Sequence, residues 1–201
     1  MRRVPWGALL ALALLAAVPA AASAAPTSAP RAPWVETLGG HISIGYAKMT
    51  SDTLDAPGGS ISLAAGLDYP VAPGLRAGVD VVYDLLGSRN HQSGSLFATV
   101  DYSALEVIGF LHWLPDRLGP VRRVSVGPMM CNAHGDLSTA VGGAAFEDLA
   151  VHQTSGGVAV QATLLPAWTS PVKPGLELGW REAFLAGPDW TIYSVRLTVY
   201  Y

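Results

Sequence analysis

The last nine residues of the sequence alternate strictly between two kinds of side chain. One set is apolar or aromatic and consists of Tyr193, Val195, Leu197, Val199 and Tyr201. The other set is mostly polar and consists of Ser194, Arg196, Thr198 and Tyr200. A repeat of two residues places these sets on opposite faces of a β-strand. Because an apolar strand face must be covered by a protein core or by lipid, this segment restricts the fold to a sheet with two unlike faces.

The beginning of the sequence has the pattern of a secretory signal peptide. Arg2 and Arg3 precede an apolar run at 8–18, and small residues at 22–24 form a cleavage site. The run is too short to cross a membrane as a helix, which needs roughly 20 apolar residues. We therefore expect 1–24 to be removed on export. The loss of two arginines makes the mature chain more acidic than the formal charge of −3 for the whole sequence, which disfavours nucleic acid as a partner.

The composition favours strands joined by tight turns. Charged residues make up only 13% of the sequence, whereas 22 of its residues are glycine. Cys131 is the single cysteine, so an intramolecular disulfide is impossible even in an oxidising compartment. We expect its thiol to be packed and inert, and the sequence predicts no role for it.

Residues 25–33 form a Pro-rich flexible lead, and 34–201 have the length of one domain. This domain shows no sustained helical period, but alternating runs follow one another between clusters of Gly, Pro, Asn and Asp. A one-residue slip near Ser103 and Ala104 predicts a β-bulge in the fourth run. Pro128 weakens the fifth run because it cannot donate a ladder hydrogen bond. The runs cover 38–47, 60–69, 75–83, 96–113, 124–130, 157–164, 176–184 and 193–201.

The connections between the runs are of two kinds, which take turns along the chain. Three begin with a proline, and they cover 70–74, 115–123 and 166–175. The others are more polar and more varied in length, and they cover 48–59, 89–94 and 133–155.

Short turns at one end and long loops at the other are typical of membrane barrels. The sequence therefore predicts an all-β fold, an antiparallel up-and-down closed transmembrane β-barrel of about eight strands. We expect the longest loop, 133–155, to fold partly as a hairpin extension, and its role is not predicted. A soluble lipocalin-like barrel, whose apolar strand faces turn inward, is the alternative architecture.

The aromatic residues are expected to form two girdles, because their rings favour the boundary between lipid and water. The first girdle lies at the proposed periplasmic end and consists of Tyr69, Trp113, Trp168 and Tyr201. The second lies near the outer end and consists of Tyr46, Tyr83, Tyr102 and Trp190.

These patterns resemble those of the small outer-membrane β-barrel proteins, a group that includes the OmpA transmembrane domain, OmpX and OmpW. The resemblance covers nearly the whole mature chain and rests on the final alternating strand and on the turns at Pro70, Pro115 and Pro166. This sequence departs from the family pattern in two ways: it ends on Tyr201, where the family usually ends on Phe, and it has a proline at 128 within the fifth run. The resemblance implies a location in the outer membrane. It also implies that the barrel assembly machinery reads the terminal signal at Tyr193, Val195, Leu197, Val199 and Tyr201.

The polar phase of each run predicts the barrel interior. Because an eight-stranded barrel is narrow enough for side chains to fill, we expect opposite charges to pair there and to close the lumen. The predicted function is a structural or surface-interaction role in the outer membrane, and the alternative is a narrow channel for small or apolar solutes. The predicted interior consists of His41, Asp68, Arg76, Asp80, Asp101, Glu106, His112, Gln161, Glu177, Arg181 and Arg196.

A lipid-modifying enzyme is the third possibility. Closeness in sequence is a poor guide to a triad, however, and no Gly-x-Ser-x-Gly elbow occurs. We therefore expect no enzyme activity and assign no catalytic or cofactor-binding residue. The histidines show no metal-ligand spacing, so no metal site is expected either. The two groups with the residue types of a Ser/His/Asp site are His91 with Ser93 and Ser95, and His134 with Asp136 and Ser138.

Overall fold

The computed structural model describes residues 38–51, 59–115, 120–141, 144–145, 149–164, 173–186 and 189–201. The predicted signal peptide, the Pro-rich lead and Trp168 lie outside these residues. Within them, no helix is long and apolar enough to cross a membrane.

The described residues form nine β-strands, and each predicted alternating run overlaps one of the longer ones. Alternation of apolar and polar side chains suits a strand whose two faces meet different surroundings. The strands are β1 (Gly39–Thr50), β2 (Ser60–Ala72), β3 (Leu75–Ser93), β4 (Leu96–Trp113), β5 (Val121–Val141), β6 (Ala144–Ala145), β7 (Leu149–Leu164), β8 (Lys173–Ala183) and β9 (Trp190–Tyr200).

The eight longer strands close into a ring. Each pairs antiparallel with two neighbours, in the order β4, β3, β2, β1, β9, β8, β7, β5, and the additional pairing of β4 with β5 completes the circle. The two-residue β6 pairs only with the end of β5. The prediction of a closed antiparallel barrel with about eight strands is confirmed.

The two ends of the barrel differ. At one end, which we call the Tyr201 end, the N–H of Gly40 donates to the carbonyl of Tyr201 at 3.2 Å, and the N–H of Tyr201 donates to the carbonyl of Gly40 at 3.1 Å. The opposite end is called the far end. Four strands are longer than the rest, with 19 residues in β3, 18 in β4, 21 in β5 and 16 in β7. The other four have 12 in β1, 13 in β2 and 11 each in β8 and β9.

The four longer strands therefore continue past the rim of the barrel and form a sheet that we call the far-end extension. It comprises 87–93, 96–102, 135–141 and 149–151. The segment predicted as the longest loop contributes 135–141 and 149–151 to this sheet, and Leu137 pairs with Leu149 across β5 and β7. The expectation of a hairpin extension there is correct.

The polarity of the barrel is inverted relative to a soluble protein. Large apolar side chains lie on the outer surface, where Leu197 is 67% exposed, while Arg196, its neighbour in sequence, is 0% exposed inside. A lipocalin-like barrel would carry the opposite arrangement. Every described long strand pairs with a neighbour on both sides, so the ring has no open sheet edge, as a sheet in lipid would require.

The structure agrees with the first predicted aromatic girdle in its described residues and disagrees with most of the second. Tyr69, Trp113 and Tyr201 are exposed at the Tyr201 end, as predicted. At the far end Tyr46 is exposed, but the rest of the predicted girdle is not on the outer surface. The indole of Trp190 is 6% exposed within the core, and the ring of Tyr102 packs edge-on against it at 6.0 Å between ring centroids. Tyr83 is also buried.

The prediction of a bulge at Ser103 and Ala104 is wrong, and this error explains the misplaced Tyr102. The register of β4 against β5 is continuous through both residues, so Tyr102 shares the inward phase of Ala104. The irregularity lies on the neighbouring strand instead, between Leu85 and Gly87 of β3, where Gly87 has a φ of 89°.

Pro128 interrupts a ladder without shifting it. The pairing of β4 with β5 stops after Ile108 and Met129 and resumes at Leu111 and Val126 in the same register. Because proline has no N–H to donate, the gap is the expected local cost of a proline inside a sheet.

Inward glycines make room for the polar side chains of the lumen. A Cβ added to Gly66 would lie 2.0 Å from Oδ1 of Asp80 and 2.5 Å from Cε1 of His41, so one of these buried groups would have to move. Gly109 of β4 is exposed on the outer face and provides the contrast, because no atom lies within 4 Å of a Cβ added there.

We expect Gly66→Ala to destabilise the barrel by about 1–3 kcal/mol, because it overpacks the contact between His41 and Asp80. The matched variant Gly109→Ala should be close to neutral. Samples heated to increasing temperatures are run on a gel, and the temperature at which the band of the folded protein disappears is measured. Equal transition temperatures for the two variants would contradict the proposed packing.

Candidate functional site

A network of buried charges occupies the barrel interior. On β9, Nε of Arg196 donates to Oε1 of Glu177 on β8 at 2.7 Å, and both side chains are almost wholly inaccessible to solvent. The two residues lie directly opposite each other in the ladder, so the antiparallel register itself creates the pair. Ser62 accepts a further hydrogen bond from the Arg196 guanidinium at 3.4 Å.

A second arginine bridges the lumen. Nη1 of Arg181 on β8 lies 2.8 Å from Oδ2 of Asp84 on β3, and it also pairs with the carboxylate of Glu106 on β4. All three side chains are 0% exposed. Because β8 pairs with neither β3 nor β4, these contacts connect opposite walls of the barrel.

A third group of polar side chains lies toward the Tyr201 end. The carboxylate of Asp68 pairs with Arg76 and with Nη1 of Arg123, the latter at 2.8 Å. The Arg123 guanidinium lies 5.2 Å above the ring of Tyr200, a distance suited to a cation–π contact. The phenol of Tyr200 is in turn 3.0 Å from the hydroxyl of Thr163.

Two histidines join the same region. Nε2 of His41 lies 3.3 Å from Oδ2 of Asp80, and Nδ1 of His112 lies 2.8 Å from the hydroxyl of Ser125. All four side chains are buried.

Most of the predicted interior residues are placed correctly. Arg76 is only partly buried, and Asp101 is wrong, because it is exposed on the far-end extension beside the hydroxyl of Ser88. The bulge predicted at Ser103 and Ala104 had placed Asp101 on the inward face, and without that bulge it lies on the outward face. The correctly buried residues are His41, Asp68, Asp80, Glu106, His112, Gln161, Glu177, Arg181 and Arg196.

Two charged residues of the interior are absent from the prediction. Asp84 lies one residue beyond the predicted third run, and Arg123 lies at the end of the predicted connection 115–123. Both strands are longer than the pattern indicates. Extending the third run by one residue includes Asp84.

Apolar side chains replace the charges toward the far end. Met49, Leu86, Trp190 and Ile192 are buried there and belong to one hydrophobic cluster. Above this cluster, on the inner side of the far-end extension, lies a cavity of about 320 Å³ that we call the far-end pocket. It is lined by Val100, Tyr102, Ala133, His134, Gly135, Leu137, Val151, Gln153, Leu185 and Trp190. Its mainly apolar wall suits an apolar group better than a charged one.

The outer face of β5, at the base of the far-end extension, carries one of the two predicted Ser/His/Asp groups. Nε2 of His134 lies 3.0 Å from Oδ2 of Asp136, so the structure brings this predicted His and Asp together. The other ring nitrogen of His134 lies 2.7 Å from Nδ1 of His152, a contact that the sequence did not indicate. The His91 side chain of the other group lies outside the described part of the structure.

No protein-family model and no curated protein matches this sequence. Among solved structures, Ail, the attachment invasion locus protein of Yersinia pestis, in complex with the heparin analogue sucrose octasulfate, is 14% identical and has a TM-score of 0.51. The match covers 82% of this chain and 99% of that one. Neisserial surface protein A is 16% identical with a TM-score of 0.46, over 82% of this chain and 96% of that one. The likeness to Ail shows that this chain has the fold of a small outer-membrane β-barrel.

We expect Arg181→Met to lower the free energy of unfolding by about 3–5 kcal/mol, because it leaves two buried carboxylates without a cation. The triple change Arg181→Met, Asp84→Asn and Glu106→Gln should recover most of this loss. The exposed cation Lys173 on the same strand provides the control Lys173→Met, which should have little effect. Urea unfolding of the protein in lipid vesicles measures all three variants. An unchanged midpoint for Arg181→Met would contradict the importance of this bridge.

Proposed function

We propose that this chain is an outer-membrane protein whose barrel is closed to solutes and whose far-end extension binds an apolar group at the cell surface. The observation that carries the proposal is the far-end pocket, which opens above a lumen filled by buried side chains. A more specific likeness to the OmpA, OmpX or OmpW branch stays a prediction.

The outer surface and the export pattern support the proposed location. The exposed apolar band favours lipid around the barrel, and the signal peptide predicted at 1–24 would deliver the chain to the cell envelope. The Tyr201 end would then face the periplasm, and the barrel assembly machinery would read the apolar set of β9 from Tyr193 to Tyr201. The far-end extension would project outside the cell.

The buried charges support a lumen that does not conduct. Arg181 joins opposite walls of the barrel. Arg196 makes a further ion pair with Glu177, and Arg123 makes one with Asp68. A solute would have to separate these pairs in a medium of low dielectric constant, which is costly. A narrow channel is therefore the second candidate rather than the first, and a lipid-modifying enzyme is the third.

The chemistry of the far-end extension favours an apolar ligand over a polyanion. Ail is the attachment invasion locus protein of Yersinia pestis, and its structure contains the heparin analogue sucrose octasulfate, which is highly anionic. In this chain the described extension contains one arginine, Arg89, and two aspartates, Asp101 and Asp136, so it offers no basic surface. The far-end pocket, with aromatic walls at Tyr102 and Trp190, offers an apolar one instead.

Hexanoate serves as a small probe of the far-end pocket. In protein reconstituted in lipid nanodiscs, we expect the indole N–H signal of Trp190 to shift saturably as hexanoate is added. Gly135→Leu should abolish this shift, because a Cβ at Gly135 points among Val100 and Tyr102 at 3.9–4.0 Å and a longer side chain fills the cavity. The control is Gly156→Leu, where an added Cβ meets nothing within 4 Å. A shift that is absent, or that survives Gly135→Leu, would contradict binding in the pocket.

Planar-bilayer recording distinguishes the closed barrel from the channel. We expect no reproducible single-channel steps from the wild-type protein, since Arg181 bridges opposite walls of the lumen and the Arg196–Glu177 pair fills part of it. The variant with Arg181→Ala and Arg196→Ala is the positive control. It removes the two arginine side chains of these pairs, so it should conduct where the wild type does not. Regular conductance steps from the wild type would favour the channel.

A further inference from the structure

We propose that His134 and His152 form a surface site for a divalent transition-metal ion, Zn²⁺ or Cu²⁺. The two residues lie directly opposite each other in the ladder between β5 and β7. Their rings are stacked at a tilt of 36° with 4.1 Å between centroids, and their Nδ1 atoms are 2.7 Å apart. Two imidazole nitrogens therefore lie next to each other on facing strands.

The distance between the nitrogens is close to what a shared metal requires. Zn²⁺ binds imidazole nitrogen at about 2.0–2.1 Å, which places two nitrogens on one ion roughly 3–3.4 Å apart. The observed 2.7 Å fits a hydrogen bond between the rings in the absence of metal. A small rotation of the rings about their side-chain bonds makes room for the ion. Imidazole is a ligand type that Zn²⁺ and Cu²⁺ both favour.

Asp136 supplies an independent reason to assign a metal to this pair. Its carboxylate lies 3.0 Å from Nε2 of His134, the ring nitrogen that faces away from His152. When Nε2 donates its proton to Asp136, Nδ1 carries the free electron pair and points at His152. A carboxylate behind the non-ligating nitrogen is the usual support of a histidine ligand in metal sites.

The charge of His152, the second ligand, does not change when the metal binds. In the metal-free pair, Nδ1 of His152 carries the proton and donates it to Nδ1 of His134. On metal binding, that proton leaves Nδ1 and the other ring nitrogen of His152 takes one up from water, so the ring stays neutral. The ion replaces the hydrogen bond between the rings.

The position of the pair allows an ion to reach it from water. On the same outward face, Nδ2 of Asn132 donates to the hydroxyl of Thr154 at 3.2 Å, so the surface is already polar one step closer to the barrel. The His134 side chain is 24% exposed and that of Asp136 is 50% exposed. Among the described residues no three His, Cys, Asp or Glu side chains are grouped to hold a metal. Water would therefore complete the coordination of an ion held by two nitrogens.

The spacing of these histidines explains why the sequence did not indicate a site. They are 18 residues apart, and only the pairing of β5 with β7 brings them together. His134 also lines the far-end pocket, but His152 does not, and both residues lie on the outward phase of their strands. The metal site is therefore distinct from the pocket.

The test uses untagged protein in nanodiscs and Cu²⁺ as the probe. We expect one equivalent of Cu²⁺ to bind, with an electron paramagnetic resonance spectrum that shows coupling to two imidazole nitrogens, and Zn²⁺ to compete for it. His152→Ala should remove the two-nitrogen signal and weaken binding at least tenfold. Asp136→Asn should keep both ligands but weaken binding by about tenfold, as loss of a supporting carboxylate does.

Thr154→Ala is the matched control, because it changes the same face of β7 but removes only a hydroxyl that accepts from Asn132, and it should bind Cu²⁺ like the wild type. The gel mobility of each unboiled variant reports whether it is folded. Unchanged Cu²⁺ affinity in a folded His152→Ala variant would overturn the proposal. A wild-type spectrum with a single nitrogen ligand would overturn it as well.

Discussion

The pairing of β1 with β9 is the contact on which the rest of the structure depends. Without it the sheet would have two open edges, and each edge would expose a row of backbone groups that lipid cannot satisfy. With it the sheet has an inside, and ten residues of β1, from His41 to Thr50, find partners on the final strand. The close fit of this seam is visible at Gly45, where an added Cβ would lie 2.0 Å from the carbonyl oxygen of Val195.

Closure also determines how charge is handled. A narrow ring leaves no bulk water around its inward side chains, so each buried ion must find a counter-ion on its own strand pair or across the lumen. Arg196 and Glu177 illustrate the first solution, and Arg181 with Asp84 illustrates the second. The glycines at 66 and 78 are the complement of this network, because they leave the space that His41, Asp80 and His112 occupy.

The sequence predicts the faces of the strands well and the contacts between strands poorly. A period of two needs only local information, and it placed Glu106, Arg181 and Arg196 inside correctly. The identity of their partners depends on the order and stagger of the strands, which no local pattern records. Asp84 and Arg123 were missed because they lie just outside the predicted runs, where the strands continue but the alternation fades. The pair of His134 and His152 was missed for a related reason, since its spacing is meaningful only after the hairpin has formed.

The register shift between Leu85 and Gly87 has a mechanical consequence. It falls where β3 leaves the barrel and enters the far-end extension, and it leaves Leu86 as an extra residue with its side chain in the core. A closed ring forces its strands to curve around an axis, whereas an open sheet is free to coil along its own length. The extra residue absorbs the mismatch between these two shapes, because a bulge bends and twists its strand locally. The wall and the projecting sheet are thus joined by a built-in joint, and the sheet can take its own curvature while the ring below keeps its circular section.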